Sequence, residues 1–386
     1  TPDKDSYHII CSSERSFCQQ PGEFSPVISP HLLPPSLSGT APKQRVLPVV
    51  EGFACPIMGG RASSLKAKAL NQDLRGKHFV VTGANTGLGY TTSRELAKMG
   101  AKVTLACRSA ERGQEAVEKL RKEALAKPVA EGVDLLEGLS DVDVQVEVLD
   151  LGVLQSVVSF AKRLKSSGQK IDVLINNAGI MAIPTEERTV DGLEKQIGVN
   201  HFGTHLLTRL MEKQIIDGGR VVFLSSVAHK HGGWDWDNVN YTKPNKYVPM
   251  IAYGRSKLAN VLDAKAFAGH LSDRRINTYA LHPGVVNTDL FRNVTDGRLI
   301  SRVFRVVKSL GTFVLASPLT GSLTTLRCAI DPALAGPEFS GKYWSHMKQV
   351  TPSALASDPA NPPRLWEITE ELLETKLGKK IENLLK

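Results

Sequence analysis

The stretch Thr82-Gly83-Ala84-Asn85-Thr86-Gly87-Leu88-Gly89 decides the fold. Before it, Lys77-His78-Phe79-Val80-Val81-Thr82 is a short, mostly apolar run of strand character. After it, residues 90–99 repeat their apolar positions at helical spacing. Glycines between a strand and a helix allow a tight turn and let a pyrophosphate approach the backbone N–H groups at the helix start. The spacing is G-x-x-x-G-x-G rather than G-x-G-x-x-G, so the strand–turn–helix context carries as much as the motif. Gly83, Asn85, Thr86, Gly87, Leu88 and Gly89 are therefore candidate dinucleotide-binding residues, with a purely structural turn as the competing reading.

Outward from the turn the pattern repeats. Lys102 to Cys107, Val144 to Leu149, Ile171 to Ile175, Arg220 to Leu224 and Ile276 to Leu281 read as further strands. Between them, 110–125, 153–166, 191–213 and 252–270 read as helices. Gly341-Lys342-Tyr343-Trp344 reads as a short closing strand, and 364–385 as a terminal amphipathic helix. Strands alternating with helices predict the α/β class, with a doubly wound parallel sheet covered on both faces. One domain is expected over residues 71–386.

Residues 1–70 differ. Nine of the 21 prolines lie in the first 60 residues, a density that removes donors and fixes φ too often for a helix or strand period to survive. An extended Pro-rich arm is expected there. Its apolar patches, such as Val46-Leu47-Pro48-Val49-Val50, suit an arm lying on its own domain or on a protein partner. The chain starts at Thr1 rather than Met, and no targeting peptide is visible, which is no evidence of a cytosolic home.

The 386 residues carry 48 Lys and Arg against 39 Asp and Glu, a formal net charge of +9, with 41% hydrophobic and 23% charged residues. That composition excludes a disordered or fibrous chain. No apolar run is long enough for a transmembrane helix. The five cysteines form no C-x-x-C pair, so neither a disulfide framework nor a zinc site is expected. The basic residues are spread out, without the aromatic-laced stripe that nucleic acid would want; contact with anionic lipid head groups stays open. A Pro-rich start and a basic balance fit an imported organelle protein, a mitochondrion or plastid rather than the cytoplasm.

The end of the second strand bears on the cofactor. An acidic residue there would bond a ribose 2′-hydroxyl and repel a 2′-phosphate. The sequence has Arg108 instead, with Arg112 one turn on, and a guanidinium fork matches a phosphate, which favours NADP(H) over NAD(H). Asp150, ending the third strand beside Leu151, is placed to accept from an adenine amino group or to cap the next helix. Tyr253 and Lys257 lie four apart on one helix face. A phenol with a pKa of about 10 is a poor acid at neutral pH. A nearby ammonium and a nicotinamide cation would lower it, making Tyr253 a usable general acid/base for alcohol–carbonyl exchange. Ser226 can hydrogen-bond a substrate oxygen, and Asn200 can hold a water behind the lysine.

From about Gly76 to Leu373 the chain resembles the short-chain dehydrogenase/reductase family. The resemblance rests on Thr82 to Gly89, Asn176-Asn177-Ala178-Gly179, Asn200, Ser225-Ser226, Tyr253, Lys257 and His282-Pro283-Gly284. Within it, the chain looks most like the retinol-dehydrogenase and protochlorophyllide-reductase-like group, on Ala106-Cys107-Arg108-Ser109, Val199 to Gly203, Ser256 to Asn260 and Gly341 to Ser345. The resemblance implies a single Rossmann domain, NADP(H), and the catalytic tetrad Asn200, Ser226, Tyr253 and Lys257. It also implies that Asn177, Ala178 and Gly179 flank the cofactor ribose, and that Pro283, Gly284 and Thr288 touch the nicotinamide amide. Three departures stand out. The chain begins with a Pro-rich arm rather than a hydrophobic span. Residues 124–143 look like a surface insertion. No Cys-containing motif follows Asn176, which speaks against light-driven pigment reduction.

Between Ser226 and Tyr253 lie His229, His231, Trp234, Trp236, Tyr241 and Tyr247. The two histidines lack a third ligand at useful spacing, so no metal is expected. The aromatics either wall a substrate cleft or pack the loop. Residues 290–316 are apolar with interspersed Arg298, Arg302, Arg305 and Lys308; in the resembled group this region is the substrate lid, and such a segment can also lie on a membrane surface. Both readings point to a bulky, lipophilic, retinoid-like carbonyl or alcohol. The expected function is an NADPH-dependent oxidoreductase; the alternative is a nucleotide-binding accessory subunit of a larger organellar or membrane-associated assembly, with residues 1–70 as a clamp.

Overall fold

The computed structural model describes residues 60–126, 132–243, 247–286 and 316–386. Eight strands form one sheet: β1 (His78–Thr82), β2 (Lys102–Cys107), β3 (Val144–Val148), β4 (Ile171–Asn176), β5 (Ile215–Leu224), β6 (Asn277–His282), β7 (Lys342–Ser345) and β8 (Lys348–Gln349). Their order is β3-β2-β1-β4-β5-β6-β7-β8, parallel throughout except for the antiparallel β7–β8 pair. The helices are α1 (Gly60–Lys68), α2 (Gly87–Lys98), α3 (Ala110–Leu125), α4 (Leu154–Ser166), α5 (Lys195–Ile197), α6 (Gly203–Met211), α7 (Pro249–His270), α8 (Pro318–Ile330), α9 (Ala354–Ser357) and α10 (Asn361–Leu377).

The near-continuous apolar strands have a simple cause: both faces of the sheet are covered. In β1, Val80 points into one core with Leu154, Val157 and Leu206, while Phe79 and Val81 point into the other with Leu96 and Leu105. All five β1 residues are buried. The strand order reverses between β1 and β4, and β1 keeps register with β2 on one side and β4 on the other. The expected doubly wound, Rossmann-type α/β sheet is present, and its switch point opens a crevice at the strands' carboxyl ends.

Several boundaries move. The arm expected over 1–70 is not extended from Gly60 on, because α1 forms there and docks on α8. Ala67 is buried, Ser63 Oγ lies 2.6 Å from Thr320 Oγ1, and Gln72 Nε2 donates to the Ile330 carbonyl at 3.1 Å. The patch Val46 to Val50 lies outside the described residues. Helix α8 has no counterpart among the sequence expectations. Its start carries the signal, with Ser317 Oγ accepting from the Thr320 N–H and Pro318 in the first turn. The helix expected over 191–213 is broken into α5, a π-turn (Gly198–Phe202) and α6. The terminal helix stops at Gly378, whose φ of 64° is left-handed, and a 3-10 turn at Ile381–Asn383 follows.

The insertion at 124–143 is not purely superficial. Val133 is fully buried, and its N–H donates to Glu95 Oε2 at 2.8 Å. Glu95 and Lys98, both buried, pair at 3.1 Å beneath it.

Candidate active site

The carboxyl ends of β1, β2, β4, β5 and β6 surround a cleft of about 520 Å³. Gly83, Asn85, Thr86, Gly87 and Leu88 form its floor. Gly87 has a φ of 58°, which turns the chain into α2 without Cβ strain. Thr86 occupies the N-cap of α2, beside the cleft. Gly89 does not reach the cleft, contrary to expectation. It packs behind the wall, where a Cβ would stand 2.4 Å from Asn177 Nδ2 and 2.6 Å from the Gly83 carbonyl oxygen.

Asn177 is a brace as much as a wall. Its Nδ2 donates to the carbonyls of Thr82 (2.7 Å) and Gly83 (3.3 Å), while the Ala178 N–H donates to Thr82 Oγ1 (2.9 Å). These bonds tie the glycine turn to the end of β4. Ala178, Gly179, Pro283 and Gly284 line the cleft beyond. Thr288 and residues 290–315 lie outside the described residues.

Arg108 and Arg112 both line the cleft, at the end of β2 and the start of α3. Among the described residues, no carboxylate pairs with either guanidinium. Ser109 Oγ caps α3 by accepting from the Arg112 N–H at 3.2 Å. Asp150 and Leu151 form the opposite wall. The Asp150 carboxylate accepts from the Gly152 N–H (2.9 Å), so it shapes its own loop and does not cap α4. The N–H of Leu154, at the start of α4, goes instead to Asp191 (2.9 Å).

On the chemical side, Ser226, Tyr253 and Lys257 line the same cleft. Ser226 follows β5, and Tyr253 and Lys257 share a face of α7. Lys257 Nζ donates to the Leu224 carbonyl at 2.9 Å and sits 5.9 Å from the Tyr253 ring centre. Burial lowers the Lys257 ammonium to about 8. The expectation that its charge depresses the Tyr253 phenol is not met in the protein alone. Burial pushes that phenol up to about 12, and the neighbouring Ser226 hydroxyl only opposes the rise. Asn200 lies in the π-turn behind the cleft. Its Oδ1 accepts from the Ile180 N–H (2.8 Å), and its Nδ2 donates to the Ile180 carbonyl and to Ser256 Oγ, both at 2.9 Å. A Cβ on Gly179 would stand 3.1 Å from Lys257 Nζ and 3.3 Å from Asn200 Oδ1, so the amide and the ammonium converge on one point.

The loop aromatics pack the loop rather than wall the cleft. Tyr241 stacks under Arg255, whose guanidinium carbon is 4.2 Å from its ring centre, and Tyr247 Oη accepts from Gln196 Nε2 at 2.7 Å. Val227, Ala228 and Met250 supply the cleft surface instead. His229 backs Ser226: its Nδ1 donates to the Ser226 carbonyl (2.7 Å) and its Nε2 accepts from the Ser353 N–H (3.0 Å). Leu224 and Ile180, which anchor Lys257 and Asn200, act through backbone groups, and backbone groups leave no signature in a sequence. A glycine turn, a helix start and two arginines thus line one cleft.

A family profile described as short chain dehydrogenase matches residues 77–299. The chain belongs to the short-chain dehydrogenase family. Within it, the chain is close to the retinol dehydrogenase group. It is 37% identical to human retinol dehydrogenase 12, over 78% of this chain and 88% of that one. To human retinol dehydrogenase 13 it is 35% identical, over 90% of this chain and 96% of that one. A solved structure of an uncharacterized protein from Mycobacterium paratuberculosis, 31% identical, superposes with a TM-score of 0.59 over 80% of this chain and 97% of that one. This short-chain dehydrogenase is thus an oxidoreductase. Among its described residues, no helix is long and apolar enough to cross a membrane.

Proposed function

We propose that the chain reduces or forms a carbonyl on a bulky, lipophilic, retinoid-like substrate, preferring NADP(H). The observation that carries the reading is the convergence of Ser226, Tyr253 and Lys257 on one cleft whose opposite end holds Arg108 and Arg112. A nicotinamide ring, when bound, supplies or takes up the hydride. The substrate oxygen sits between the Ser226 hydroxyl and the Tyr253 phenol. In the reducing direction Tyr253 gives its proton to that oxygen, and in the oxidising direction it takes one back. Lys257, buried at the phenol's side, favours the phenolate that proton transfer leaves. Asn200 holds the Ile180–Ser256 framework beside the lysine. Arg108 and Arg112 take the 2′-phosphate. The lipophilic substrate is supported by the retinol dehydrogenases among the relatives and by the apolar surface of Val227, Ala228, Met181 and Met250 in the cleft.

The test follows NADPH and NADH oxidation with all-trans-retinal and a panel of aliphatic and aromatic aldehydes. Wild type is expected to turn over with NADPH. Tyr253→Phe is expected to lose roughly 10²–10⁴ in kcat, the usual worth of a general acid, with NADPH affinity unchanged. Equal inertness of wild type and Tyr253→Phe across the panel would instead favour a nucleotide-binding accessory subunit.

A further inference from the structure

Behind the cleft, α6, α7 and α10 enclose a buried ionic network. His201 Nδ1 lies 3.0 Å from Asp263 Oδ2, and His205 Nδ1 lies 3.0 Å from Asp263 Oδ1. The outer side comes from α10. His201 Nε2 meets Thr369 Oγ1 at 2.9 Å, and His205 Nε2 meets Glu370 Oε1 at 3.0 Å. His201, His205, Asp263 and Thr369 are at most 1% exposed. The 3.0 Å approach of His201 to Asp263 lacks hydrogen-bond alignment, so the aligned partner of this ring is Thr369 Oγ1. Both nitrogens of His205 face carboxylates, so both donate. Burial alone would drive that imidazole down, but Asp263 and Glu370 outweigh it and lift it to about 9.

The place of this network gives it meaning. His201 follows Asn200 directly in the π-turn, and Asp263 lies on the helix that presents Tyr253 and Lys257. A π-turn is an unfavourable register slip that persists where surrounding contacts hold it. On its inner side the turn presses against the cofactor wall: a Cβ on Gly203 would stand 2.1 Å from the Leu151 carbonyl oxygen. On its outer side the bonds of His201 and His205 to α7 and α10, with the Asn200–Ser256 bond and the buried Phe202, oppose a shift.

We propose that Thr369 and Glu370 of the C-terminal helix are positioning residues for the reaction: through His201, His205 and Asp263 they hold the π-turn that sets Asn200 beside Lys257. The inference rests on the role given to Asn200 above. Docking of α10 is then a condition for turnover as well as for stability.

The experiment uses the full chain. Thr369→Val keeps the volume and removes the hydroxyl, Thr369→Ser keeps the hydroxyl, and Glu370→Gln removes the charge. Thr369→Val and Glu370→Gln are expected to lower kcat for all-trans-retinal about tenfold, since small misplacements of a catalytic group cost that much or more. The retinal KM and NADPH Kd are expected to stay within about twofold, and amide exchange of residues 198–202 to speed up about tenfold. Thr369→Ser should restore both readouts. Unchanged kcat and exchange in Thr369→Val would overturn the inference. So would parallel losses in kcat, KM and Kd that Thr369→Ser does not restore. Exchange needs no turnover: a wild type inert toward retinal counts against the proposed reaction, while faster exchange at 198–202 still supports the positioning role and unchanged exchange still overturns it.

Discussion

Gly89→Ala sets two physical effects against each other, and the sign of the outcome separates them. Gly89 lies in the first turn of α2, where alanine is the better helix former by about 1 kcal/mol. If propensity governed, the variant would be more stable. The structure predicts the reverse. The new methyl would meet the Gly83 carbonyl oxygen at 2.6 Å and Ala84 Cα at 3.0 Å, both backbone atoms that no rotamer change can move. It would also meet Asn177 Nδ2 at 2.4 Å, and that amide is held by its bonds to Thr82 and Gly83. Overpacking costs about 1–3 kcal/mol, and displacing Asn177 removes two hydrogen bonds worth about 0.5–1.5 kcal/mol each. Against a gain of about 1 kcal/mol from propensity, the net loss is about 1–5 kcal/mol, concentrated in the glycine turn that the proposed function gives to the pyrophosphate. At about 1.4 kcal/mol per decade, a loss of 2–3 kcal/mol expressed in binding weakens NADPH about 30- to 150-fold. Fluorescence titration of NADPH and thermal unfolding of the unliganded variant read the two quantities. An affinity within about threefold of wild type, with a raised Tm, would refute the reasoning.

Two further outcomes follow from the same geometry, beside those already stated for Tyr253 and Thr369. Arg108→Asp replaces a guanidinium that faces the cleft with a carboxylate suited to a ribose 2′-hydroxyl, so the NADPH:NADH preference in kcat/KM should fall by at least about tenfold; an unchanged ratio removes Arg108 from cofactor choice. His205, lifted to about 9 from an ordinary value of about 6.5, lends stability that is fully present below about pH 6.5 and lost as pH rises through about 9. The groups that set this are Asp263 on α7, Glu370 on α10 and, beyond it, Arg209 on α6. The Tm should therefore drop between pH 7 and 9 in wild type and drop less in His205→Gln, and parallel pH profiles would show that the imidazolium is not the linked group.

The parts of this protein that were legible in the sequence are those whose chemistry must be carried by a side chain, or by the lack of one, at fixed spacing. The turn from Gly83 to Gly87 and the pair Tyr253–Lys257 are of this kind, because a helix face or a tight turn permits few spacings. The buried strands were legible because a sheet covered on both faces needs apolar residues at nearly every position. Helix α8 was missed although Leu319, Leu323, Leu326 and Ile330 recur at helical spacing, because Thr320, Ser322, Thr324 and Thr325 between them are weak helix formers. Those polar residues do not mark a solvent face either, since Ser322, Thr324 and Thr325 are buried with the leucines between α1, α2 and the sheet. The π-turn escaped for a different reason: its side chains meet partners far along the chain, Asn200 at Ser256 and His201 at Thr369, 56 and 168 residues away. Gly89 and Asn177 were read as ligand-binding positions, yet each shapes the other, since the amide occupies the space that a side chain at 89 would need.

The phenol of Tyr253 shows most clearly why residue type and energetics part company. Sequence places an ammonium one turn away and so argues for a lowered pKa. Packing buries both groups, which raises the phenol to about 12 and lowers the ammonium to about 8. Desolvation disfavours each charged form separately, so the protein alone keeps the phenol neutral and weakens, without removing, the ammonium's charge. An acid/base poised in that way is weak until further positive charge or a hydrogen-bonding substrate oxygen enters the cleft. Proton transfer is thereby tied to occupancy, and a Tyr253 that waits in its neutral form with Ser226 at its side is suited to giving a proton to a carbonyl that arrives there.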